Sequence, residues 1–138
     1  MGFTTAEAAE EAFYAAFSRS DHQKLMAVWA NSADIVCIHP LGPRHVGVES
    51  VAQSWAQILT TDEPRDFKCR VLSRWSDDNT VVHVVDEIIS VPGSDARFAP
   101  VLATNVYRRI ADNWYLVAHH ASIDARQNIS TTEAQTRH

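Results

Sequence analysis

The apolar pattern of the chain changes period once. Up to about residue 60 the apolar residues recur every three or four positions, and from about residue 67 they alternate. A helical half followed by consecutive strands restricts the chain to an α+β fold, with helices on one face of a curved antiparallel sheet. In the first helix Thr4 and Glu7 form a capping box, and Ala6, Ala9, Phe13, Ala16 and Phe17 make the inner stripe. Ser20-Asp21 offers the N-cap of a short second helix with Leu25, Val28 and Trp29 inward. Ile35 to His39 is a short apolar strand stopped by Pro40, and residues 41–47 (LGPRHVG) read as a loop. A third helix places Val48, Val51, Trp55, Ile58 and Leu59 on one face and ends before Pro64. Strands are expected over 67–76, 80–91, 98–110 and 114–123. No repeat or linker divides the 138 residues, so 1–123 is expected to be one domain and 124–138 a polar, flexible tail.

Turn chemistry sets the register. Asp77-Asp78-Asn79 and Ala111-Asp112-Asn113 each suit a three-residue hairpin loop, pairing Ser76 with Thr80 and Ile110 with Trp114. Counting back opposes Arg70 to Asp86, Cys69 to Glu87, Ser73 to His83, Asn105 to His119, and Thr104 to His120. A two-residue turn at Asp112-Asn113 would oppose Asn105 to His120 instead. In the first register Asp86 has a cation across the strand pair. Glu87 faces Val85, Ile89, Val71 and Cys69, with no Lys or Arg beside it. A carboxylate so placed must find donors or have its pKa raised by desolvation.

His83, Asn105 and His119 share the Glu87 face, and apolar lining with a few convergent polar groups describes a small-molecule pocket. Glu87 is the candidate general acid or base, with His119 and Asn105 to polarise or orient. A structural carboxylate, bonded to a backbone amide or to His83, is the alternative. His39 at a strand end suits the pocket mouth, and Tyr14, Tyr107, Trp29 and Trp55 complete the candidate lining, the tryptophans serving the core as well. A His39/His119/Glu87 facial triad lacks local ligand spacing, so neither a metal nor a cofactor is expected.

A net charge of −5 without a basic stripe argues against nucleic acid and anionic membranes as partners. No apolar run approaches the ~20 residues of a membrane helix. Cys37 and Cys69 lack metal-type spacing and fit free thiols in a reducing, cytoplasmic setting.

The stretch from Trp29 to Trp55, with CIHP at 37–40 and GVESVAQSW at 47–55, resembles the SnoaL-like branch of the nuclear transport factor 2-like, ketosteroid isomerase-like superfamily. The closing ATNVYRR (103–109) and NWYLVAHHAS (113–122) resemble it more closely, so the likeness covers about residues 5–123. The resemblance implies a cone-shaped fold, usually a homodimer through the outer sheet face. It also implies a small-molecule-binding domain: a cofactor-independent isomerase, cyclase or dehydratase acting on an apolar substrate by acid–base chemistry. A non-catalytic ligand-binding or oligomerisation module, similar to kinase association domains, is the alternative. By order along the chain, Glu87, Asn105 and Ala121 stand where association domains place pocket arginines, so an arginine-lined anion site is not implied. Tyr14 resembles the phenol of an isomerase oxyanion hole, without a second carboxyl group in view. His39, His83 and His119 with Glu87 are loosely similar to dehydratase sites. Thr104, Val106, Leu116 and Ala118 fall on the outer face and are apolar enough to serve the dimer contact.

Overall fold

Thr5, not Thr4, begins the first helix: its hydroxyl accepts from the Ala8 amide, so the cap sits one residue later than the capping box implies. The computed structural model describes residues 2–60, 65–93 and 100–125. The elements are α1 (Ala6–Ser18), α2 (His22–Val28), β1 (Val36–Ile38), β2 (Arg44–Val46), α3 (Val48–Ile58), β3 (Asp66–Ser76), β4 (Thr80–Ser90), β5 (Val101–Ile110) and β6 (Asn113–Ile123). Asp21 caps α2 through its carboxylate and the Lys24 amide. Gly47 caps α3 at φ 88°, a left-handed conformation that strains any residue with a Cβ. The stretch read as a loop holds a strand, β2, which pairs with β1 through Cys37 and His45. Three residues are too few for alternation to announce a strand. Of the expected tail, 124–138, residues 126–138 lie outside the described residues.

The six strands form one open sheet in the order β2-β1-β6-β5-β4-β3. Four junctions are antiparallel, but β1 runs parallel to β6, so the sheet is mixed rather than wholly antiparallel. The chain must cross over the sheet to reach β6, and that parallel pairing is a long-range event no local pattern encodes.

Both hairpin turns differ from expectation, and a bulge corrects each. Ser76 pairs with Val81, not Thr80, and an extra residue at Leu72 restores Arg70 opposite Asp86 and Cys69 opposite Glu87. Between turn and bulge the shift persists, so His83 faces Arg74 and not Ser73. In the second hairpin Ile110 pairs with Asn113 around a two-residue turn, with Ala111 and Asp112 at φ 51° and 70°. An extra residue at Val117 then restores Asn105 opposite His119. The same bulge turns Leu116 inward, where it is fully buried; its expected place on the outer face is wrong.

Helices cover the inner face of the sheet. Phe13 of α1 is the hub, its ring meeting Tyr14, Trp55 and His119 at centroid distances of 4.9, 5.5 and 5.4 Å. Phe17 stacks on Phe67 at 3.8 Å and ties α1 to the β3 edge. No helix among the described residues is long and apolar enough to cross a membrane.

Candidate functional site

One row of registered residues carries three of the buried polar side chains. Arg74, His83, Asn105, His119, Cys37 and His45 are successive partners across β3, β4, β5, β6, β1 and β2. His83, Asn105 and His119 are buried at 1%, 0% and 2% exposure, so each must be partnered within the protein. Glu87 lies four residues along β4 from His83, also inward and 3% exposed.

The groups divide into two networks where α1 meets the sheet. In the first, the Tyr14 hydroxyl donates to Glu87 Oε2 at 2.6 Å and accepts from Asn105 Nδ2 at 3.0 Å. Asn105 Oδ1 bonds His119 Nδ1 at 2.6 Å, which makes that nitrogen the protonated one. His119 Nε2, left as a lone pair, lies 3.9 Å from Glu87 Oε2. Tyr14, Glu87, Asn105 and His119 thus close a ring of contacts. His39 stands beside it, bonded to Ser54 Oγ at 3.0 Å and edge-on to Trp55 at 4.6 Å.

In the second network His83 Nδ1 lies 3.0 Å from both oxygens of Glu10, and the Tyr107 hydroxyl donates to Glu10 Oε2 at 2.8 Å. His83 and Tyr107 therefore belong to Glu10 and not to the Glu87 group expected for them. Glu10, 7% exposed, is the residue sequence reasoning missed. It stands inside the apolar stripe of α1, between Ala9 and Phe13, and a charge in that stripe was the available signal. Trp29 is core, 4% exposed, with its ring 6.5 Å from Phe13.

Burial sets the protonation pattern. Glu87 is pushed up to about 7 by desolvation, with the Tyr14 hydrogen bond opposing and the Glu10 charge adding. His119 is pushed down to about 3 and His39 to about 4, both chiefly by desolvation. Tyr14 is raised well above an ordinary phenol by desolvation and by Glu87, so near neutral pH it is a donor. A carboxyl titrating near neutrality, beside a neutral imidazole and a phenol, can take or give a proton. Among the described residues no cluster of His, Cys, Asp and Glu could hold a metal ion.

A cleft of about 550 Å³ opens between α1 and β3 and reaches both networks at their α1 members, Glu10 and Tyr14. Glu87, Asn105 and His119 do not line it and stand behind Tyr14. The outer-face pair Arg70–Asp86, at 2.5 Å, is separate from this interior.

This geometry sits in a frame with known relatives. A protein described as a calcium/calmodulin-dependent protein kinase type II association domain, from Thiobacillus denitrificans, superposes with a TM-score of 0.84 at 38% identity, covering 89% of this chain and 98% of that one. A protein described as a dehydratase of the NTF2-like family, from Streptomyces avermitilis, has a TM-score of 0.69 at 30% identity, covering 83% and 90%. The F-box protein SKIP8 of Arabidopsis thaliana is 30% identical over 102 residues, 73% of this chain. The chain spans only 42% of that relative's length. The family model for the SnoaL-like domain matches residues 6–126. With the helices, the open mixed sheet and this match together, the chain belongs to the SnoaL-like domain family, within the NTF2-like fold.

Proposed function

We propose that this domain binds a small, largely apolar carbonyl compound and moves a proton on it without a cofactor, as an isomerase, cyclase or dehydratase does. The observation that carries the reading is the 2.6 Å Tyr14–Glu87 hydrogen bond in the interior, with the carboxyl poised at about 7. The three reaction classes share one step, removal of a proton from carbon beside a carbonyl. Glu87, behind Tyr14, would accept that proton through the Tyr14 hydroxyl, which takes the proton from carbon as it gives its own to Glu87, a role in which a base titrating near ambient pH is most effective. The Asn105–His119 pair would hold the Tyr14 hydroxyl, the group that meets the substrate, in place. The indole N–H of Trp55 has no conventional hydrogen bond and meets the Cys37 thiol, a weak acceptor, so it could serve a ligand oxygen too. Two free thiols fit a cytoplasmic setting. The test is isomerisation and deuterium incorporation for cyclohex-3-enone in heavy water, followed by NMR. Wild type should exceed buffer, and Glu87→Gln should lose at least 100-fold, on the order of a general base's contribution. A wild type no faster than buffer, or an undiminished Glu87→Gln variant, would sink the reading.

A second reading, an assembly module, is favoured by the 38% identity to the association-domain protein. The outer face offers a registered apolar row, Trp75–Val82–Val106–Ala118–Val36, with Trp75 61% exposed. A homodimer through this row should bury more than about 1,000 Å² in total. Sedimentation at tens of micromolar checks it: wild type should be dimeric and Val106→Glu monomeric. A monomeric wild type rejects it.

A further inference from the structure

A second cleft, of about 780 Å³, opens between α2, α3 and the β5–β6 turn. It shares no lining residue with the cleft at Tyr14, and a volume of this order is usual for small-molecule sites. Met26 comes from α2, Val48 and Ala52 from α3, and Ile110 and Tyr115 from the hairpin. No Asp, Glu, Lys or Arg lines it, although these make up 21% of the chain. A wall without charge has nothing to offset the desolvation of an ion and suits a neutral apolar body. The walls are also braced. His22 Nε2–H donates to the Ala52 carbonyl at 2.8 Å and ties α2 to α3. The Ala30 amide donates to the Leu116 carbonyl at 2.9 Å and ties the end of α2 to β6.

An apolar cleft alone names no occupant, but a buried donor narrows the choice. Trp29 lines this cleft at 4% exposure, and with Ala30 it forms the buried floor beneath half-buried and exposed walls. Its Nε1–H is buried and has no hydrogen-bond partner among the described residues. Two other interior nitrogens without a hydrogen bond do have a polar neighbour. The Trp55 indole meets the Cys37 thiol, and His83 Nε2 faces Glu7 at 3.6 Å. On its core side Trp29 meets the Phe13 ring at 6.5 Å, an apolar neighbour with no lone pair to offer. A buried N–H left without an acceptor gives up the hydrogen bond that water supplies in the unfolded chain. The cleft is the side from which an acceptor can reach it.

We propose that the α2–α3 cleft binds a neutral aromatic or alicyclic compound bearing an oxygen acceptor, and that this oxygen accepts the Trp29 indole N–H. The apolar body lies against Met26, Val48 and Ile110, and covers Ile110 where it is now 44% exposed. The site is separate from the proposed proton-transfer chemistry and does not rest on it.

The test follows the indole N–H signals of the full chain by proton–nitrogen NMR as acetophenone, ethylbenzene or benzoate is added. The three share one ring: acetophenone carries a neutral acceptor, benzoate a charged one and ethylbenzene none. The Trp29 signal, identified by its loss in Trp29→Phe, should move downfield with acetophenone, as an N–H does on entering a hydrogen bond. Acetophenone should bind about fivefold more tightly than ethylbenzene, the yield of one net hydrogen bond, and benzoate more weakly than either. In Trp29→Phe, with the N–H gone, the acetophenone and ethylbenzene affinities, read at the Met26 methyl group, should converge. Ala27→Phe places a ring on an exposed position of the cleft wall, so it should fold normally and abolish the response of Trp29. A Trp29 signal unmoved at tens of millimolar acetophenone, equal affinities for acetophenone and ethylbenzene in the wild type, or preference for benzoate each overturn the proposal. So does a Trp29 response that persists in Ala27→Phe. Should Trp29→Phe fail to fold, the wild type and Ala27→Phe decide the matter by the same criteria.

Discussion

Two carboxylates lie where α1 meets the sheet, each with a tyrosine and a histidine, and they are not alike. Glu10 receives His83 on both oxygens and the Tyr107 hydroxyl on one, all within 3.0 Å. Glu87 receives the Tyr14 hydroxyl at 2.6 Å, and its histidine stays 3.9 Å away because Asn105 holds it. The same three residue types therefore build a satisfied cluster in one place and an under-supplied carboxyl in the other. Asn105 makes the difference: it takes the His119 proton that Glu10 receives from its own histidine. Buried charge supplied with donors is structure, and buried charge denied them is poised to titrate.

That contrast can be broken most forcefully at Glu10. Glu10→Ala leaves His83 and Tyr107 buried without their acceptor and should cost about 3 kcal/mol or more in urea unfolding. Glu87→Gln keeps the shape and the Tyr14 contact and should lie within about 1 kcal/mol of wild type at pH 6. Equal losses would erase the distinction.

The pH dependence sharpens it. Glu87, raised from 4.5 to about 7, holds its proton more tightly in the folded chain. Its contribution is full below about pH 4.5 and is lost as pH rises through about 7. His119 and His39, depressed from 6.5 to about 3 and about 4, act oppositely: their contributions are present above 6.5 and lost as pH falls. The two slopes oppose each other in mildly acidic solution, and Glu87→Gln removes only the first. Relative to wild type, the variant should gain up to ~3 kcal/mol between acid and mildly alkaline solution. A difference that does not change with pH would mean that Glu87 is not desolvated as its surroundings imply.

A smaller effect is expected at Tyr14. Tyr14→Phe removes the donor that holds the Glu87 pKa down and leaves Asn105 Nδ2 without its acceptor. Stability should fall by about 1–2 kcal/mol, and the Glu87 titration, followed by carboxyl carbon NMR, should move above about 7. A titration that moves down would reverse the assigned direction of the hydrogen bond. The smallest change is outside: Asp86→Asn breaks a pair whose arginine side chain is 67% exposed and should cost only ~0–1 kcal/mol.

The chain's own order of residues determined a good deal. The change of period, the apolar stripes of α1 and α3, and the absence of a cation near Glu87 on its face are local facts, and each holds among the described residues. They follow from side-chain periodicity, which is a property of the backbone and survives any packing. Tertiary structure decided the rest. Both turns differ in length from what their residues suggest, yet Arg70–Asp86, Cys69–Glu87 and Asn105–His119 pair as expected because bulges at Leu72 and Val117 each add the compensating residue. Where no bulge had yet intervened, at His83 against Arg74, the count failed. The parallel β1–β6 pairing, the inward turn of Leu116 and the partnering of His83 with Glu10 join positions far apart in the chain. Which carboxylate is satisfied and which is left poised depends on those meetings, because desolvation and hydrogen bonding act through space and not along the sequence.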